Sequence, residues 1–152
     1  MEEEQVKVIA SNKKAGYDYF LLHKFEAGIM LVGSEVKSIR DGGISINESF
    51  VQVENGEIFL KNAYIKPYDK AKSYIPETKR TRKLLLNRRE IDKIAKERQA
   101  GLTIVPTKVY LKNGFVKVEI ALAKGKKNYD KRHSLAEKTA KREIARHIKG
   151  QN

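Results

Sequence analysis

Two Asn-Gly pairs, Asn55-Gly56 and Asn113-Gly114, constrain this chain more than any other feature in it. A two-residue type I′ connection needs φ > 0 at both central positions, and Asn followed by Gly meets that demand at little cost. Each pair sits between stretches with strand patterning. Ser49 to Val53 and Glu57 to Tyr64 flank the first, and Ile58 and Leu60 alternate with polar residues at period two. Leu102 to Leu111 and Phe115 to Ala123 flank the second. There Val116, Val118 and Ile120 alternate with Lys117, Glu119 and Ala121, which gives one face to a core. Two antiparallel hairpins follow.

Other segments add to them. Tyr17 to Phe25 (YDYFLLHKF) and Gly28 to Val32 (GIMLV) read as two strands. Residues 1 to about 15 are polar and read as mobile. Ser34 is placed to cap a short helix in which Val36 and Ile39 share a face, and Gly42-Gly43 stops it. Residues 66–80 are polar with two prolines and read as a loop. Asn87 followed by Glu90 is a capping box, and Ile91, Ile94 and Ala95 continue it as a helix to about Ala100, ended by Gly101. About six strands with short flanking helices predict a mainly β, OB-like closed Greek-key barrel; an antiparallel sandwich is the competing topology.

Charge divides the chain in two. The sequence has 152 residues and a formal charge of +13. Residues 124–152 hold ten Lys/Arg against three Asp/Glu, more than half of that excess. Their only large aliphatic side chains are Leu135, Ile144 and Ile148, too few to offset ordering. The reading is a barrel over 1–123 and a basic tail over 124–152, disordered alone and helical on a partner that neutralises it. An excess of this size seeks a polyanion. The tail offers only a narrow apolar stripe, mostly of alanine, so a membrane surface is the weaker choice. The acidic start lacks a signal-peptide pattern, and no run nears the ~18 apolar residues of a membrane span. Cysteine is absent, which excludes disulfides and thiolate chemistry. The expected location is the cytoplasm.

The chain carries no recognisable catalytic pattern. His23, His133 and His147 lie at no metal-ligand spacing, and no GxSxG, HExxH or paired-carboxylate pattern occurs. Gly125-Lys126 lacks the earlier glycine and following Ser/Thr of a phosphate loop. No enzyme, cofactor or metal site is expected. Basic runs say more. Lys13-Lys14 precede Tyr17 and Tyr19; Lys79 to Lys83 precede Leu84 to Leu86 and the capped helix; Lys126, Lys127, Lys131 and Arg132 surround Tyr129. Any one run could be a solvated face. Several together, with interleaved rings, fit phosphates and unpaired bases.

Four stretches in order carry a resemblance. They are Phe25 to Ile29 (FEAGI), Gly33 to Arg40 (GSEVKSIR), Thr81 to Asn87 (TRKLLLN) and Gly125 to Arg132 (GKKNYDKR), with Asn12 to Ala15 before Tyr19-Phe20. From about residue 12 to 132 the chain resembles the tmRNA-binding small protein B (SmpB) family of bacterial trans-translation. The resemblance implies an OB-like barrel that binds the tRNA-like domain of tmRNA. It implies a monomer that, in complex with tmRNA, reaches ribosomes stalled on messages lacking a stop codon, with a tail that works beside small-subunit rRNA. By match to the family motifs, Glu26, Leu85 and Asn87 are expected tmRNA contacts, and Lys13 and Lys14, which match basic N-terminal residues, are expected to bind RNA. Arg82 and Lys83, in the same basic motif as Leu85, join the expected RNA-binding set. Lys126, Lys127, Tyr129, Asp130, Lys131 and Arg132 match the segment acting at the decoding centre. Two departures stand out: Gly16-Tyr17 replaces a common Arg-His, and Tyr129 stands where some members have His. An unrelated basic OB-type protein of the ribosome or of initiation, and a hydrolase using Asp130 with a histidine, are the competing readings.

Overall fold

Both Asn-Gly pairs turn as expected: φ is 51° at Asn55 and 76° at Gly56, and 51° at Asn113 and 84° at Gly114. The structure, a computed structural model, describes residues 5–70 and 74–127. In chain order it contains β1 (Val6–Ser11), α1 (Lys13–Asp18), β2 (Tyr19–Ile29), α2 (Gly33–Arg40), β3 (Ile44–Ser45), β4 (Phe50–Glu54) and β5 (Glu57–Lys61). Then come β6 (Tyr64–Ile65), β7 (Arg82–Leu85), α3 (Arg88–Gln99), β8 (Thr103–Lys112) and β9 (Phe115–Gly125).

Seven strands form one antiparallel sheet in the order β1-β8-β9-β2-β7-β5-β4, and β3 pairs with β6. The sheet curls until β4 returns beside β8. No backbone ladder joins those two strands among the described residues, so the sheet is curled but unclosed. Bulges supply the bending: the register shifts between Val8 and Ala10, Leu21 and His23, and Pro106 and Lys108. Pro106 is tolerated in a strand paired on both sides because it sits at such a bulge. Asn12 seals that bulge, donating its backbone N–H to the Thr107 carbonyl at 2.7 Å and its side-chain amide to the Pro106 carbonyl at 3.0 Å.

The concave side is the core. Phe25 and Ala27 of β2, Ile58 and Leu60 of β5, Leu84 of β7, and Val118 and Ile120 of β9 are buried, with Ile39 of α2 and Ile94 of α3 inserted from the ends. Burying a side chain of this kind contributes about 1.5–3 kcal/mol. The α3 capping box forms as read: Asn87 Oδ1 accepts from Glu90 N at 2.9 Å, and Glu90 Oε1 accepts from Asn87 N at 3.4 Å.

Several elements differ from the sequence reading. There are nine strands and three helices among the described residues, not about six and two. Val6–Ser11 is ordered as β1 because it pairs with β8. Tyr17 and Asp18 end α1, and Tyr19–Ile29 is one continuous strand, since Gly28 pairs in the ladder and does not break it. Ser34 does not cap α2; Glu35 does part of that work by accepting the Val32 N–H at 3.1 Å. Asn62, at φ 63°, splits the expected Glu57–Tyr64 strand into β5 and β6. Strand β9 continues past Ala123, as Lys124 and Gly125 pair with Phe20 and Tyr19.

Candidate nucleic-acid interface

Cross-strand register places the site. Tyr110, Lys117, Gly28 and Leu85 stand opposite one another in a row across β8, β9, β2 and β7. Side chains opposite each other share a face, here the convex one, because their neighbours Val109, Val118, Ala27 and Leu84 point into the core. Leu85 is 48% exposed on this face. Glu26 lies two residues before Gly28 and so shares it.

Glu26 is a fixed anion. Its carboxylate accepts from Tyr110 Oη at 2.8 Å and pairs with Lys112 Nζ at 3.3 Å. The Tyr110 hydrogen bond, aided by Lys112 and Lys117 against a smaller burial effect, lowers its pKa below the ordinary value. Burial, and then Glu26, push the Tyr110 phenol upward, so it remains a donor. Glu26 is thus an oriented acceptor, suited to a base amino group or a 2′-OH and not to a phosphate.

Beyond Leu85 the chain enters α3 through Asn87. The cap uses Oδ1, which leaves the amide N–H pair and one lone pair for another partner. Lys83, on the same face of β7, pairs with Glu57 at 3.0 Å. Arg82 does not belong to this surface. It is 1% exposed, and its guanidinium points inward to Glu35 Oε2 at 2.8 Å. The carbonyls of Ala63, Thr78 and Arg80 take its other N–H groups at 2.8, 3.1 and 3.1 Å. It is spent on the fold, and its expected place among RNA contacts is corrected.

Lys13 and Lys14 sit elsewhere, on α1, at the far end of β2 from Gly28. At about 3.3 Å per residue the separation along the strand is roughly 30 Å. The start of the tail joins them there. Lys126 donates its backbone N–H to the Asp18 carbonyl at 2.8 Å and Nζ to the Gly16 carbonyl at 3.1 Å, with Nζ 5.0 Å from the Phe20 ring centroid. Lys127 follows. Lys14 pairs with Glu48 at 3.5 Å beside a cleft of about 300 Å³ lined also by Asn12, Tyr19, Phe50 and Arg98. The structure therefore separates two regions: the Glu26–Leu85 face with its neighbouring lysines, which leads into the Asn87 cap, and an α1 end where β9 finishes. Tyr129, Asp130, Lys131 and Arg132 lie outside the described residues. Lys112 and Lys117, and the buried Tyr110 whose hydroxyl reaches Glu26, are brought to this face by cross-strand register alone.

Among the described residues no helix is long and apolar enough to cross a membrane, and no group of three or more His/Asp/Glu is placed to hold a metal ion. The curled antiparallel sheet, short capping helices and basic convex face define a basic, OB-like β-domain. Comparison with known proteins makes this specific. The family described as SmpB protein matches residues 9–150, and the chain belongs to that family. It is 49% identical to the SsrA-binding protein of Desulfitobacterium hafniense over 152 residues, covering 99% of this chain and 97% of that one. It is 54% identical to the SsrA-binding protein of Shouchella clausii over 149 residues, covering 97% and 96%. A solved chain from "tmRNA-SmpB: a journey to the center of the bacterial ribosome" is 44% identical with a TM-score of 0.63, covering 78% of this chain and 84% of that chain.

Proposed function

We propose that this protein binds the tRNA-like domain of tmRNA and delivers it to ribosomes stalled on messages without a stop codon. Its role is binding, not catalysis, and its place is the cytoplasm, on the ribosome. The observation that carries the reading is the shared convex face of Glu26 and Leu85, with Lys112 and Lys117 beside it and Asn87 two residues on at the α3 cap, in a chain whose relatives are SsrA-binding proteins. An apolar side chain for a base face, an oriented acceptor, an amide and nearby cations form a set suited to unpaired RNA.

The tail reads as the second half of the device. Strand β9 ends at Gly125, next to α1 and about a strand's length from Leu85. Residues 126–152 then reach a different target from the one the convex face holds. Lys126, Lys127, Tyr129, Asp130, Lys131 and Arg132 act at the decoding centre, and the tail senses the empty mRNA channel. Lys13 and Lys14, beside the tail's root, contribute cations toward the ribosome.

Truncation after Lys127 tests both halves at once. RNA affinity should persist with some electrostatic loss, while tagging on stalled ribosomes should vanish. Loss of tmRNA binding, or tagging at full strength, would overturn the two-part mechanism.

A further inference from the structure

An apolar groove of about 290 Å³ opens at the edge of the convex face, between Leu85 and the tip of the β8–β9 hairpin. Its floor is aliphatic: Ile29, Leu31 and Val36 line it. Phe115 stands at its rim, 69% exposed, directly after the Asn113-Gly114 turn. With Leu85 on the opposite wall, also about half exposed, it makes a contiguous apolar surface open to a partner.

Gly28 leaves the Leu85 side of the groove open. A Cβ on Gly28 would meet Leu85 Cβ at 3.3 Å and occupy the space beside it. The rim carries two cations, Arg40 and Lys117, and no carboxylate is among the lining residues. Arg40 also ties the rim together, donating Nη2 to the Gly114 carbonyl at 3.3 Å and so linking α2 to the hairpin.

We propose that this groove receives one unpaired base of the bound RNA, held between Leu85 and Phe115, with Arg40 and Lys117 on its flanking phosphates. The inference rests on the function proposed above and identifies a further contact within the same face. Charge decides the occupant: an apolar slot with two cations and no anion in a +13 chain suits a base on a phosphate backbone. Continuity supports it too, because Leu85 is both groove wall and face residue. A flat heterocycle uses an aromatic wall in a way an aliphatic peptide side chain does not.

The test uses the full chain, a transcript of the tRNA-like domain, and a fully paired RNA hairpin of equal length. Phe115→Ala should weaken transcript binding roughly 5- to 150-fold, the range of one lost base stack. Phe115→Tyr should restore it, Phe115→Leu should not, and Gly28→Val should mimic the loss by filling the slot. Melting temperature and the salt slope should stay constant for Phe115→Ala, and the paired hairpin should not distinguish the variants. Lys117→Ala should reduce the salt slope by about one. Unchanged affinity in Phe115→Ala, where Leu85→Asp abolishes binding, overturns the groove and leaves the function standing. Loss in neither variant removes the whole face from RNA binding. Full restoration by Phe115→Leu, or a defect in ribosome binding with RNA affinity intact, assigns the groove to apolar or protein contact and overturns the inference.

Discussion

Glu35 on α2 and Arg82 on β7 form a buried ion pair, 3% and 1% exposed, with Arg82 Nη2 at 2.7 Å from Glu35 Oε2. Arg80 adds a second guanidinium to the same carboxylate. The pair anchors β7, and β7 leads directly into Leu85 and Asn87. Removing one partner leaves a buried charge uncompensated, at a cost of about 3–5 kcal/mol. Arg82→Ala should therefore lower the denaturant midpoint sharply, whereas Lys83→Ala, its exposed neighbour, should lower it little. Equal midpoints for the two variants would refute the structural role of Arg82.

The same pair sets an acid limit. Burial opposes ionisation of Glu35, but Arg80, the Val32 N–H and Arg82 outweigh it and hold its pKa below 4.5, its ordinary value. A carboxylate depressed in the folded state gives stability that is present above its unfolded pKa and lost as pH falls through the folded one. Wild-type stability should thus decline as pH drops below about 4.5, and Glu35→Gln should flatten part of that decline while lowering stability at pH 7. Urea titrations from pH 7 to 3 measure both.

Asn87→Ala should cost about 1 kcal/mol of stability through the lost cap. Its effect on tRNA-like-domain affinity should exceed what that small loss explains. Leu85→Asp adds an anion at a half-exposed position and should leave melting near wild type while abolishing binding. Affinity that stays constant in both variants would take the β7–α3 junction out of the interface.

Salt dependence separates steering charge from specific contacts. Six phosphate contacts predict an affinity loss of roughly three orders of magnitude between 50 and 200 mM salt. Fluorescence anisotropy over that range gives the slope, and a flat response would mean the +13 excess is not used in binding.

Tyr110→Phe removes the hydrogen bond that contributes most to lowering the pKa of Glu26. The Glu26 carboxyl midpoint, read from its carbon resonance, should lie below 4.5 in the wild type and move up in the variant. An unmoved midpoint would show that Lys112 and Lys117 alone hold Glu26 ionised.

The hairpins and the α3 cap were legible because each is a local rule written in two to four residues. Strand β7 was not, and the reason is specific. Its inward positions are Arg82 and Leu84 and its outward ones Lys83 and Leu85, so alternation of polarity is absent and the segment reads as a basic run. Arg82 faces inward only because Glu35, far off in sequence, meets it. Strand β1 was missed for a similar reason: Val6 and Val8 are outward and exposed, and only pairing with β8 orders them. Glu26, Leu85 and Asn87 came from family motifs; Tyr110, Lys117 and Phe115 depend on register between strands, which no local pattern encodes.

The ladder between β2 and β7 is two residue pairs wide, Gly28 with Leu85 and Ile29 with Leu84, extended by one hydrogen bond from Met30 to the Lys83 carbonyl. The ladders from β1 through β8 and β9 to β2 are much longer. With so few pairs to offset the closure of the loop between them, this junction should form after the long ladders. Leu85 meets Gly28 only when that junction has closed. Immature chains, though already cationic, would hold RNA without discrimination, and pulse-labelled amide exchange should find β7 protected after β8 and β9. The proposed recognition surface is thereby a certificate of completed folding, issued at the last seam to be sewn.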